Sequence, residues 1–183
     1  MALAPMHVGA VVADLDAAMA DHERLGAGPW VTTAPRTFTT FDGEHATVVD
    51  QDVRVAFGAL PGGGAIELVE PQASTPTCPQ ARLLAAGAGV THMAYWCPDV
   101  AAHGAAVLDS GGQVFSVALP PGAPWRQALA ADGPRGVLAL GGAAYLRLAS
   151  GALVELVSPA VRPGLRSAFG PGLDAVLPEP AGP

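Results

Sequence analysis

Short apolar runs rich in β-branched residues alternate along this chain with stretches whose apolar residues recur at helical spacing. Residues 6–13 form the first apolar run and predict a strand. Asp14 then stands at a helix N-cap position, and Leu15, Ala18, Met19 and Leu25 mark one face of a helix over 15–25. Gly26 supplies the stop, and Gly28-Pro29 forces an extended exit. A Thr-rich stretch over 30–41 predicts a strand, with a bulge or turn at Pro35. Asp42-Gly43 reads as a turn. A strand over 48–60 follows, with Val53, Val55 and Phe57 on one face. After the tight turn Pro61 to Gly64, residues 65–71 form a further strand ended by Pro71. The order is βαβββ.

The pattern then repeats. The Pro- and Thr-rich stretch between Pro71 and Pro79 reads as a linker, followed by a short helix over 80–86. A strand over 90–97, a helix over 99–108 stopped by Gly111-Gly112, and a strand over 113–119 come next. Residues 120–134 read as a loop with one helical turn, a lid or edge rather than core. A hairpin then joins 143–148 to 153–157. Shifting the first unit by 85 residues places His7 on His92, Asp14 on Asp99, Ala17 on Ala102, Ala20 on Ala105 and Gly26 on Gly111. The closing strands align at an offset of 88, Ile66-Glu67-Leu68-Val69 on Val154-Glu155-Leu156-Val157. These matches predict an internal duplication: a first module over 1–71, a linker over 72–87, a second module over 88–160 and a Pro/Gly-rich tail over 161–183. The last ten residues are expected to fray.

Composition narrows the partners. A net charge of −7 over 183 residues argues against nucleic acid and against an anionic membrane surface. The long apolar stretch 136–157 is interrupted by Arg147 and Glu155, which excludes a membrane span. Two cysteines, Cys78 and Cys97, do not make a disulfide framework, and the opening residues lack a signal-peptide pattern, so a cytoplasmic location is expected.

The repeat also organises the chemistry. Each unit opens on a strand carrying a His and closes on a strand carrying a Glu. A lone strand Glu ordinarily faces solvent, and a lone His is ordinarily packed or surface-bound. Two units related by a pseudo-twofold, however, bring His7, Glu67, His92 and Glu155 together around one axis. Two imidazoles and two carboxylates are a ligand set for a divalent transition metal.

At these residues the chain resembles the vicinal oxygen chelate superfamily, which includes glyoxalase I, methylmalonyl-CoA epimerase, extradiol dioxygenases and bleomycin-resistance proteins. The resemblance covers about residues 6–159. Its strongest segments are HVGAVVADLDAAMADHERLGAGPW and VVDQDVRVAFGALPGGGAIELVEP, both close to the epimerase-like branch. It implies an α+β fold of two βαβββ modules forming a half-open mixed-sheet barrel. It assigns the metal to His7, Glu67, His92 and Glu155, and the ion would be Zn, Ni, Co, Mn, Mg or Fe. Glu67 is nearer the glyoxalase pattern than the Gln common among the epimerases.

The resemblance further implies a metal-dependent epimerase or isomerase, or a lyase, that moves a proton beside a chelated carbonyl through an enolate. The epimerase-like branch places a carboxylate base near the third strand, where Glu44 and Asp50 are the catalytic candidates and His45 a substrate-binding one. Glu155 doubles as ligand and base. Trp125, in a Pro-Gly loop, is a candidate cover for the substrate. Trp96 is a candidate cavity neighbour of His92, because residues two apart on a strand share a face. Arg36, Arg54, Arg82, Arg126 and Arg135 are the cations available to a phosphate tail. With nine Arg and no Lys in the chain, an uncharged, aromatic or polyketide-like substrate rivals an acyl-CoA. The alternatives are therefore a dehydratase or cyclase acting on a polyketide-like intermediate and a non-catalytic resistance protein. The resistance proteins generally lack the metal quartet. An extradiol dioxygenase would lack the ligand at Glu67 and be longer. A small-molecule substrate and a homodimer complete the expectation.

Overall fold

In the computed structural model, which describes residues 3–87 and 89–180, nine strands form one sheet that curls until its ends meet. The first module contributes β1 (Ala4–Val11), α1 (Leu15–Glu23), β2 (Trp30–Thr32), β3 (Arg36–Asp42), β4 (Thr47–Ala59) and β5 (Ala65–Pro71). α2 (Pro79–Ala85) connects it to β6 (Val90–Trp96), α3 (Val100–Asp109), β7 (Gln113–Ala118), α4 (Trp125–Leu138), β8 (Ala143–Arg147) and β9 (Leu153–Val157). α5 (Arg162–Phe169) and α6 (Leu173–Val176) end the chain. The expected boundary at 88 and residues 181–183 lie outside the described residues.

Local chemistry sets the element starts. Asp14 and Asp99 each accept a hydrogen bond from a backbone N–H three residues on, at 2.9 Å, as N-caps. Pro35, which has no N–H to give a ladder, lies in the break that splits the expected 30–41 strand into β2 and β3.

The two modules meet through their first strands. β1 runs antiparallel to β6, while β1–β5 and β6–β9 are the parallel pairs. The sheet continues through β4 and β3 on one side and β8 and β7 on the other. Three register pairs between β3 and β7, Thr40 with Ala118, Phe41 with Val117 and Asp42 with Ser116, close the ring within the chain. The barrel expected to be half-open is thus closed, and eight strands surround its interior with β2 flanking β4.

Helices cover the outside. Leu15 and Leu68 are fully buried in the α1 layer, and Val137, Leu138 and Leu146 in the α3/α4 layer. α4 replaces the expected loop. Its path kinks at Asp132-Gly133, and Pro134 begins the next turn, where its missing N–H costs nothing. Residues 120–134 stay exposed or partly exposed, at the edge as expected, and α4 reaches the core only through Val137 and Leu138.

The expected frayed tail is the larger correction. Leu173, Val176 and Leu177 are buried in the same cluster as Met6, Val53 and Trp96. Each such side chain contributes about 1.5–3 kcal/mol. Arg162 anchors the segment by donating to Pro178 O, Asp174 and Glu179 at 3.2, 2.9 and 2.8 Å. Among the described residues no helix is long and apolar enough to cross a membrane.

Candidate metal centre

The pairing of β1 with β6 sets the centre. In register, Gly9 lies opposite His92 and Ala94 opposite His7. The parallel neighbours then place Glu67 beside Gly9 and Glu155 beside Ala94. Each imidazole therefore lies over a small residue of the other strand. A Cβ on Gly9 would stand 1.8 Å from His92 Cε1, so only glycine leaves room for that ring. One strand further out, Phe57 pairs with Glu67 and Tyr145 with Glu155. Phe57 meets His7 edge-on at 5.3 Å and Tyr145 meets His92 at 4.9 Å.

All four ligand side chains are buried, and their ligand atoms lie within 4.8 Å of one another. His7 Nε2 is 3.3 Å from His92 Nε2, from Glu67 Oε2 and from Glu155 Oε2. His92 Nε2 is 3.5 Å from each of the same carboxylate oxygens. Five of the six separations among the ligand atoms are thus 3.3–3.5 Å, close enough for one divalent cation to reach all four. Glu67 Oε2 and Glu155 Oε2 are buried without a hydrogen-bond partner, and two buried carboxylates need a cation or protons to balance them. The donor set, the spacing and the charge all fit a divalent metal.

Without a metal, the imidazoles hold the balancing protons. Burial lowers the His7 pKa, but the Glu67 charge and the close approach of both carboxylates override it and lift the ring to about 9. His92 is likewise raised against its burial by Glu155 and Glu67. Burial raises Glu67, yet His7 and His92 hold it at about 2. Glu155 is also lowered, with burial and the Glu67 charge opposing the two imidazoles. Burial first, and then the two carboxylate charges, push the Tyr145 phenol well above its ordinary value, so it stays neutral.

A cavity of about 430 Å³ opens on His7, Glu67 and Glu155. Its wall is largely apolar, with Met6, Val53, Val55, Val69, Leu119 and Leu140 prominent, and Phe169 of α5 reaches in to stack on Phe57 at 5.0 Å. No Lys or Arg lines it among the described residues.

The other sequence candidates lie elsewhere. Glu44 is on the exposed β3–β4 turn, 3.2 Å from Arg82 Nε. His45, on the same turn, contacts Asp42 through Nδ1 at 2.9 Å. Asp50 is exposed and accepts from Thr39 Oγ1 at 3.2 Å. It falls on the outer face of β4 because alternation sends Gln51, Val53, Val55 and Phe57 inward. Extending that apolar face by two residues would have found Gln51. Trp96 shares His92's face but lies beyond the cavity, its indole N–H donating to Pro178 O at 3.0 Å. Trp125 packs outside against Phe41, with ring centres 6.1 Å apart. Leu165 and Phe169 of α5 line the cavity instead, in the Pro/Gly-rich tail to which sequence reasoning gave no role. Arg54 and Arg82 pair with Asp16, Glu70 and Asp42. Arg135 pairs with Asp109, and Arg126 lies over Trp125.

Fold and centre together define a barrel of paired βαβββ modules with a two-His, two-Glu site at the module interface. The chain belongs to the glyoxalase/bleomycin resistance protein/dioxygenase superfamily, whose sequence model matches residues 6–129. Among solved structures, a hypothetical protein from Bacillus halodurans C-125 is similar at 22% identity, over 86% of this chain and 95% of that one, with a TM-score of 0.52. Methylmalonyl-CoA epimerase from Mycobacterium tuberculosis is similar at 22% identity, over 88% and 91%, with a TM-score of 0.50. At these identities the likeness concerns the fold. A search of curated proteins found no match.

Proposed function

We propose that this protein is a metal-dependent enzyme that moves a proton beside a metal-held oxygen of an apolar small molecule, an isomerase or epimerase in reaction class. The observation that carries the reading is the convergence of His7, Glu67, His92 and Glu155, of which His7, Glu67 and Glu155 line a cavity that no other carboxylate lines among the described residues. A divalent cation held by these four residues would supply Lewis acidity to an adjacent carbonyl. Proton transfer then falls to Glu155 or Glu67, the carboxylates that line the cavity. The Tyr145 ring fixes His92 from behind, and Phe57 and Phe169 exclude water from the reacting end.

The cation-free wall favours an uncharged substrate over an acyl-CoA. It also supports a second reading, a dehydratase or cyclase on a polyketide-like intermediate, which uses the same base and loses water. The buried quartet disfavours a non-catalytic resistance protein. A homodimer is the assembly this reading carries.

The test is metal content after purification, followed by proton exchange in deuterated water monitored by NMR. Methylmalonyl-CoA and a panel of neutral hydroxyketones and β-diketones would be the substrates. Metal-dependent exchange of α-protons in a neutral compound, absent in Glu155→Gln and His92→Ala, is expected. A protein that binds no metal, or whose exchange survives His92→Ala, would sink the proposal. Water loss without exchange would favour the second reading.

A further inference from the structure

The cavity wall carries three polar atoms that the fold leaves without partners. Thr40 Oγ1, Gln51 Oε1 and Gln80 Oε1 are buried and make no hydrogen bond, and all three side chains line the one cavity. Thr40 and Gln80 are each 2% exposed. They come from three separate elements, β3, β4 and α2, so no single packing fault places them there. On β4, Gln51 continues a face that otherwise reads Val53, Val55, Phe57, where another apolar residue would suit the strand equally well. Leaving a buried polar atom unpaired is unfavourable, and three around one space mark a surface completed by a ligand.

The atoms say what kind of ligand. The unpartnered Gln80 atom is the amide oxygen, an acceptor. The Gln51 atom is also an amide oxygen. The Thr40 hydroxyl donates or accepts. Their complement is a hydroxyl or N–H. An anionic group would meet two amide oxygens and the carboxylates of Glu67 and Glu155, with no cation on the wall.

We propose that the ligand of this cavity is a neutral, mainly apolar molecule whose hydroxyl or N–H groups, apart from the oxygens held at the metal centre, are received by Thr40, Gln51 and Gln80. This rests on the reading of the quartet as a metal site, and the test separates the two. The probe is a phenylcatechol, whose vicinal oxygens chelate zinc. It is compared by calorimetry with analogues carrying one distal-ring hydroxyl (ortho, meta or para) or a distal carboxylate, all on the zinc-loaded protein. At least one hydroxylated analogue is expected to bind about tenfold tighter than the parent, and the carboxylate no tighter. Thr40→Val, Gln51→Leu or Gln80→Leu should remove that gain while the parent still binds, which also shows that the variants fold. The proposal is overturned if the parent binds and no hydroxyl gains, if the carboxylate gains most, or if the gain survives all three substitutions. If zinc does not bind, or the parent binds equally well without it, the metal reading falls and takes this proposal with it.

Discussion

At the residue scale, the centre depends as much on two small residues as on four ligand side chains. Gly9 and Ala94 face the imidazoles across β1 and β6, and a methyl at position 9 would occupy the His92 ring. Gly9→Ala should therefore expel His92 from the quartet while the barrel persists. Zinc affinity, measured by chelator competition, is expected to fall about 100-fold, a loss comparable to that from disturbing a ligand's supporting groups. Unchanged affinity would show that the ring has room the structure does not grant it. The His-x-Gly and His-x-Ala spacings stand in the sequence, but only the antiparallel register makes the small residue of one strand the seat of the other's His.

At the element scale, α2 is tied to the barrel by one buried carboxylate. Asp42 is 1% exposed and accepts from Arg82 at 2.8 and 2.9 Å. Burial raises its pKa, but the hydrogen bonds from Arg82 and His45 outweigh this and hold it below its ordinary value. A lowered folded pKa means that the stabilisation is complete above about pH 4, the unfolded value, and is lost as pH falls through the folded one. Asp42→Asn should cost about 3 kcal/mol in urea unfolding at pH 7, and the gap from wild type should narrow below pH 4. A gap that stays constant with pH would assign the loss to packing instead. The same tie engages Arg82, one of the cations once available to a phosphate tail. It also holds α2, and with it Gln80, against the cavity.

At the scale of the whole molecule, a metal held by the quartet would couple to the closed ring. β1, β5, β6 and β9 each contribute one ligand, two from either module, so an ion here bonds the modules to each other. Zinc at 100 times its dissociation constant should stabilise the protein by about 2.7 kcal/mol. A rise in melting temperature on adding zinc, reversed by chelator and absent in His7→Ala, is the expected result. A rise of equal size in that variant would place the ion elsewhere.

The duplication, the helix caps, most strand positions and the His/Glu quartet were legible in the sequence, because periodicity and spacing are local properties that survive in one dimension. The four ligands could be named because each occupies an equivalent place in a repeated unit. What the chain order could not supply was which faces turn inward over an irregular stretch and what covers the cavity. Asp50 and Gln51 are neighbours, and a single residue of phase decides which one faces the cavity. Trp125 lies in a segment that reads as a loop, yet it opens a helix whose far end is anchored by burial of Val137 and Leu138. The Pro/Gly-rich tail has weak local propensity, and it is ordered by long-range contacts: Arg162 with Asp174 and Glu179, Trp96 with Pro178, Phe169 with Phe57. Only the tertiary structure, by bringing those distant groups together, decided that the cavity is capped, apolar and free of cations.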